Sequence, residues 1–133
     1  MGFAKALELL SSSNYLRMNA LRNHLETALR GIEVNGTGPR VSSVSNLFFP
    51  GCDGETLLID LDRQGIAVSH GSACRSLALE PSPVLLKMGY SRKRVLSSLR
   101  FSLSRLTTQE DIHYTIEKLQ RWLPRQEVTT QSR

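Results

Sequence analysis

The chain has 133 residues, 40% of them hydrophobic and 22% charged, and a formal net charge of +5. Such a length suits one domain with a buried core, and the balance of apolar to charged residues excludes a disordered chain. No apolar run approaches the ~20 residues of a bilayer span, and no charged-then-apolar leader opens the chain, so the expectation is a cytosolic or organelle-matrix location without a membrane.

Residues 2–30 read as helix, with Phe3, Leu7, Leu10, Met18, Leu21, Leu25 and Leu29 at helical spacing. The run "SSSN" at 11–14 predicts a bend or a split within it, because short polar side chains compete for the backbone. Gly31 is placed as a helix C-terminal glycine. "IEVNG", 32–36, reads as a short strand ending in an Asn-Gly turn, and "VSNLFF", 44–49, as a second strand closed by Pro50-Gly51. Asp53 is positioned to cap a helix over 54–64 with Leu57, Leu58 and Leu61 inward, which Gly65 ends. "IAVS", 66–69, predicts a third short strand. Residues 69–83, rich in Gly, Ser, Ala and Pro, have no period and form the longest irregular stretch, where function tends to sit. Pro83 starts a short helix through Met88, and "SRKRVLS" makes another turn or two. "SLRFSL", 98–103, alternates as a strand, with Leu99, Phe101 and Leu103 on one side and Arg100 on the other. Thr107 with Glu110 offers a capping box for a last helix carrying Ile112, Ile116, Leu119 and Leu123, stopped by Pro124. The order predicts an α/β fold: a small mixed β-sheet with helices mainly on one face, over residues 1–124, followed by a polar tail at 125–133.

The two cysteines do not make a disulfide framework, so each needs its own explanation. Cys74 follows Gly71, Ser72 and Ala73 on the irregular stretch, the setting of an accessible nucleophile rather than of an inert packed thiol. Cys52, in "PGCDGE", reads as a small packed or partly exposed turn residue. His24 and His113 read as helix-surface residues, and no Cys/His spacing matches a zinc site. The cations are scattered apart from Arg92-Lys93-Arg94 and a group around Arg121 and Arg125, without interleaved aromatics. A solvated face is the preferred reading, a docking patch for an acidic protein the second, and a nucleic-acid module the last.

Taken together, "GIAVSHGSACRS", "LEPSPVLLKMGYS" and "SSLRFSLSRLTTQEDIHYTIE" over 65–117 closely resemble the C-terminal small domain of cysteine desulfurases of the NifS/IscS type, within the class V aminotransferases. "LRNHLETALRGIEVNG" and "VSSVSNLFFPGCDGETLLIDLD" extend the resemblance over nearly the whole chain except the tail. The resemblance implies the small-domain fold of fold-type I pyridoxal phosphate enzymes and an activity that takes sulfur from L-cysteine, releases L-alanine and holds the sulfur as a persulfide on Cys74. It further implies pyridoxal phosphate as electron sink and a sulfur-acceptor protein, an iron–sulfur scaffold or a thiolation relay. Arg100, matching the family's Ser-x-Arg-x-Ser-Leu, is implied to grip the substrate α-carboxylate, although strand pattern alone favours an ordinary outward arginine. Asn46 matches a family asparagine and is read as a structural hydrogen-bonding residue. His70 stands where the family more often has serine, so a solvent-facing loop histidine is the preferred reading. "RSLALEPS" after the cysteine is bulkier than the family's small residues, and Ser104 stands where glycine is common.

None of the four lysines, Lys5, Lys87, Lys93 and Lys118, has the surroundings of a cofactor lysine, and no phosphate cradle precedes a helix. The chain therefore reads as the small domain of a desulfurase whose cofactor domain, in the same or another chain, forms the homodimer, and it is expected to be inactive alone. A fragment, a truncated product or half of a split enzyme all fit that reading. The alternative is a stand-alone persulfide carrier or protein-binding module that takes sulfur from another donor.

Overall fold

The computed structural model describes residues 2–71 and 80–123. The N-terminal helix splits as expected, but at the front of the serine run and not within it: α1 spans Gly2–Glu8 and α2 spans Ser12–Ala28, so Ser12, Ser13 and Asn14 already belong to α2, and Ser11 caps it, its side chain accepting from Asn14 N–H. The predicted stripe divides with it. Leu21, Leu25 and Leu29 are buried, whereas Phe3, Leu7 and Leu10 are exposed and α1 buries no residue.

Strands β1 (Glu33–Val34), β2 (Val44–Phe48) and β3 (Ser98–Ser102) form a sheet in the order β1-β2-β3. Both pairings are antiparallel. The α/β fold expected from the chain order is present, and its sheet is antiparallel among the described residues. The register sets Leu47 opposite Leu99 and Asn46 opposite Arg100. Because side chains alternate across a strand, the leucines go to one face and the Asn–Arg pair to the other. On the first face Leu47, Phe49, Leu99, Phe101 and Leu103 pack against α2, against α3 (Gly54–Arg63) through Leu57 and Leu61, and against α6 (Gln109–Gln120) through Ile112, Ile116 and Leu119. Two short helices, α4 (Pro83–Lys87) and α5 (Arg92–Leu96), stand between α3 and β3 in the chain. Among the described residues no helix is long and apolar enough to cross a membrane.

Two expectations are corrected. "IAVS" is no strand: only Ser69 bridges to β3, through Ser69 N–H to Arg100 O (3.0 Å) and Arg100 N–H to Ser69 O (2.8 Å). Ile66 N–H donates to Leu61 O at 2.9 Å, so its backbone closes the end of α3 instead of extending a ladder. The capping box lies one residue later than the sequence suggests. Thr108 is extended (φ −101°, ψ 166°) and accepts from Asp111 N–H, while the Asp111 carboxylate accepts from Thr108 N–H at 2.9 Å. Thr107 is engaged elsewhere, its Oγ1 accepting from Ser104 N–H at 2.9 Å. Thr108→Ala is expected to lower unfolding free energy by about 1 kcal/mol and Thr107→Ala by less, as chemical denaturation would report. The expected polar tail at 125–133 lies outside the described residues.

Candidate functional site

On the face of the sheet opposite the core, Asn46, Ser69, Ser98 and Arg100 meet Gly71, Ser82, Val84, Leu85 and Val95 around a cleft of about 180 Å³. The β2–β3 register presents Asn46 and Arg100 side by side, and the Ser69 bridge ties the segment entering residues 72–79 to the same point. Arg100 is exposed, and its Nη2 donates to Ser69 Oγ at 3.2 Å. Among the described residues this is the guanidinium's one side-chain partner, a neutral one, and a carboxylate fits its planar fork. Arg100 thus lines the cleft. Cys74 lies outside the described residues.

Asn46 has the structural hydrogen bond expected of it: its Oδ1 accepts from Asn35 Nδ2 at 2.8 Å. Cys52 is half-buried against the core, and its thiol donates to Trp122 O at 3.5 Å. Burial pushes that thiol's pKa up from its ordinary value of 9.0, which makes it a poor nucleophile. His24 and His113 lie on the surface with their rings edge-to-face at 5.2 Å.

His70 is not the solvent-facing residue the sequence suggests. Its ring is half-buried, with Nε2 2.9 Å from Leu96 O. The ring fits because Gly54 has no side chain: a Cβ there would collide with Leu96 O and lie 2.6 Å from His70 Nε2. His70 therefore anchors the segment just before Gly71 to the start of α3 and the end of α5. The signal in the sequence was slight, a glycine immediately after a helix-capping aspartate.

The Arg92-Lys93-Arg94 group also resolves into different roles. Arg92 and Lys93 are exposed. Arg94 turns inward, stacked between Phe48 and Tyr90 at 4.7 and 4.6 Å and paired with Glu33 Oε2 at 2.5 Å.

Pyridoxal phosphate would need a lysine amine and a phosphate seat. Among the described residues lining the cleft there is neither a lysine nor a carboxylate. The lysines lie on α1, α4, α5 and α6, with Lys5 and Lys118 paired to Glu8 (3.2 Å) and Glu117 (3.4 Å). The described residues do not form a seat for this group.

The family model "Aminotransferase class-V" matches residues 1–115. A protein named cysteine desulfurase IscS from Clostridium botulinum (strain Hall) is 41% identical over 129 residues, covering 90% of this chain and 32% of that protein. One of the same name from Pasteurella multocida is 46% identical over 110 residues, covering 80% and 27%. Among solved structures, a NifS-like protein from Rickettsia africae superposes with a TM-score of 0.69 at 28% identity, covering 84% of this chain and 29% of that one. An aminotransferase from Streptoalloteichus hindustanus, at 12% identity and a TM-score of 0.58, shares the fold. The chain spans about a third of the length of the curated relatives it matches.

Proposed function

Because the chain belongs to the class-V aminotransferases, whose pyridoxal phosphate chemistry belongs to the whole enzyme, we propose that it is the small domain of a cysteine desulfurase. The observation that carries this reading is Arg100: a guanidinium on the sheet face away from the core, open to a cleft and bridged through its backbone to the segment leading to Cys74. In this reading Arg100 holds the α-carboxylate of L-cysteine by two parallel N–H···O bonds and so orients the substrate thiol. Cys74 then receives the sulfur. The substrate C–S bond breaks, an S–S bond forms on Cys74 to give a persulfide, and the remaining carbon skeleton leaves as L-alanine, so atoms and electrons balance. The rest of the enzyme, including the lysine that holds pyridoxal phosphate, lies outside this chain, and the homodimer is assigned to that larger part. An acceptor protein takes the terminal sulfur from Cys74.

Mass spectrometry of the chain treated with a small-molecule persulfide donor tests the assignment of Cys74. One added sulfur atom is expected on the Cys74 peptide, none in Cys74→Ser, and an undiminished gain in Cys52→Ser. Sulfur accumulating on Cys52 instead would overturn it. With L-cysteine and pyridoxal phosphate, the chain alone is expected to release no alanine, and a polypeptide carrying the cofactor lysine is expected to restore release. If sulfur loads from the donor yet no such polypeptide restores alanine release, the stand-alone carrier replaces the desulfurase.

A further inference from the structure

Asn46 offers the cleft one end of a side-chain amide, and its other end is held from behind by a chain of hydrogen bonds. We propose that Arg94, which does not itself line the cleft, is a positioning residue that decides which end of Asn46 faces the substrate. The proposal rests on reading the cleft as the seat of a carboxylate.

The chain begins at a group with no choice of polarity. A guanidinium donates and never accepts. Arg94 Nε donates to Asn35 Oδ1 at 2.7 Å, and its Nη1 is neutralised by Glu33. The Phe48 and Tyr90 rings on either side fix its plane, and Tyr90 is itself anchored by Gly36 N–H donating to its Oη at 2.7 Å. With its oxygen turned to Arg94, Asn35 directs Nδ2 to Asn46 Oδ1 (2.8 Å) and to Ser98 Oγ (2.9 Å). Ser98 in turn donates to Arg94 O at 2.8 Å, which closes the network on itself. Asn35 and Ser98 are 5% and 3% exposed, so a reversed amide there would leave buried donors facing donors. Asn46 Oδ1 is thereby committed inward, and its NH2 is the end left for the cleft beside Arg100. A carboxylate then meets donors from both residues, whereas the reversed amide would oppose it with an oxygen. The polarity of an amide is an inference from its network, and here the network ends on a residue that admits one answer.

Asn35→Asp tests this without removing any side chain from the network. Aspartate accepts from Arg94 and from Asn46, so Asn46 should turn over and present oxygen to the cleft. Hydrogen exchange of the side-chain amides, read by NMR on the chain, is the first measurement. In the wild type the Asn35 NH2 should exchange slowly and the Asn46 NH2 fast; in Asn35→Asp the Asn46 NH2 should slow at least about tenfold as it becomes the inward donor. Arg94→Lys, which still only donates, should keep the wild-type pattern, and Arg94→Met should lose it. If Arg94→Met does not fold, the aspartate and lysine variants decide alone. A protected Asn46 NH2 in the wild type, or an unchanged pattern in Asn35→Asp, would overturn the proposal. A titration with L-alanine is the second measurement. Shifts are expected at the Asn46 NH2 and the Arg100 guanidinium in the wild type, with binding weakened roughly tenfold in Asn35→Asp. If the exchange pattern holds but L-alanine moves neither resonance, the carboxylate reading of the cleft fails while the Arg94–Asn35–Asn46 polarity stands.

Discussion

Under the proposed function, replacing Arg100 by alanine in the chain assembled with its cofactor-bearing part is expected to lower kcat/KM for L-cysteine by roughly 10- to 150-fold, the equivalent of losing a charged hydrogen-bond pair worth about 1.5–3 kcal/mol. Most of the loss should appear in KM if the guanidinium holds substrate and transition state alike. Lysine should recover part of the loss, because a point charge attracts a carboxylate without matching its two oxygens. The fold should be nearly indifferent. Arg100 is exposed, its side chain makes one bond among the described residues, at 3.2 Å to Ser69, and the bridge to Ser69 is made by backbone atoms. Stability should therefore change by no more than about 0.5 kcal/mol, as for other surface substitutions. Sulfur loading of Cys74 from a donor that carries no carboxylate should be unchanged in the same variant. A kcat/KM equal to wild type would remove Arg100 from the substrate site.

Glu26 carries the largest expected effect on stability. It lies on α2, and its carboxylate takes two bonds from Arg40 (2.7 and 2.9 Å) and one from Ser45 Oγ (2.6 Å), with Arg22 Nε at 3.9 Å. The Glu26 and Arg22 side chains are 9% and 8% exposed. Burial by itself raises the Glu26 pKa, but the hydrogen bonds from Arg40 and Ser45 and the charges of Arg40 and Arg22 outweigh it and hold the carboxyl below its ordinary 4.5. Glu26→Ala leaves the buried Arg22 and the half-buried Arg40 without their carboxylate and should cost about 3 kcal/mol at neutral pH, the low end for breaking a buried pair because Arg40 keeps access to water, measured by urea unfolding. Glu26→Gln, which keeps an acceptor, should cost less. The sign with pH follows from the depressed value: the stabilisation is complete above pH 4.5 and disappears as pH falls through the folded-state pKa. Wild-type stability should thus decline below pH 4.5 more steeply than that of Glu26→Gln; parallel profiles would show that the carboxylate contributes nothing there.

Much of the fold could be read from local chemistry. The helix over 54–63, the strand at 98–102 and the break at Ser11 each rest on residues adjacent in the chain: a capping aspartate, an apolar alternation, a serine that accepts from a backbone N–H. The capping box shifted by one residue because two adjacent threonines offer the same side chain, and only the backbone conformation at Thr108 selects between them. The third strand failed because Ile66 N–H was already engaged by α3, a competition that an apolar pattern does not record. The stripe through Phe3 and Leu7 was legible as helix, but periodicity states that a face is apolar and not what covers it, and it carried the helix past Leu10, which falls in the break between α1 and α2.

By itself the sequence determined the α/β order, the cysteine on its small-residue run, and the arginine that interrupts an alternating strand, because these depend on residue type and spacing along one chain. The tertiary structure decided which polar residues share the cleft with that arginine, that His70 turns inward over Gly54, and that Arg94 leaves a basic run to stack between two rings. Each of those outcomes joins groups far apart in the chain, Asn35 with Arg94 or Gly54 with His70. Strand register and packing set such distances, and no local propensity encodes them.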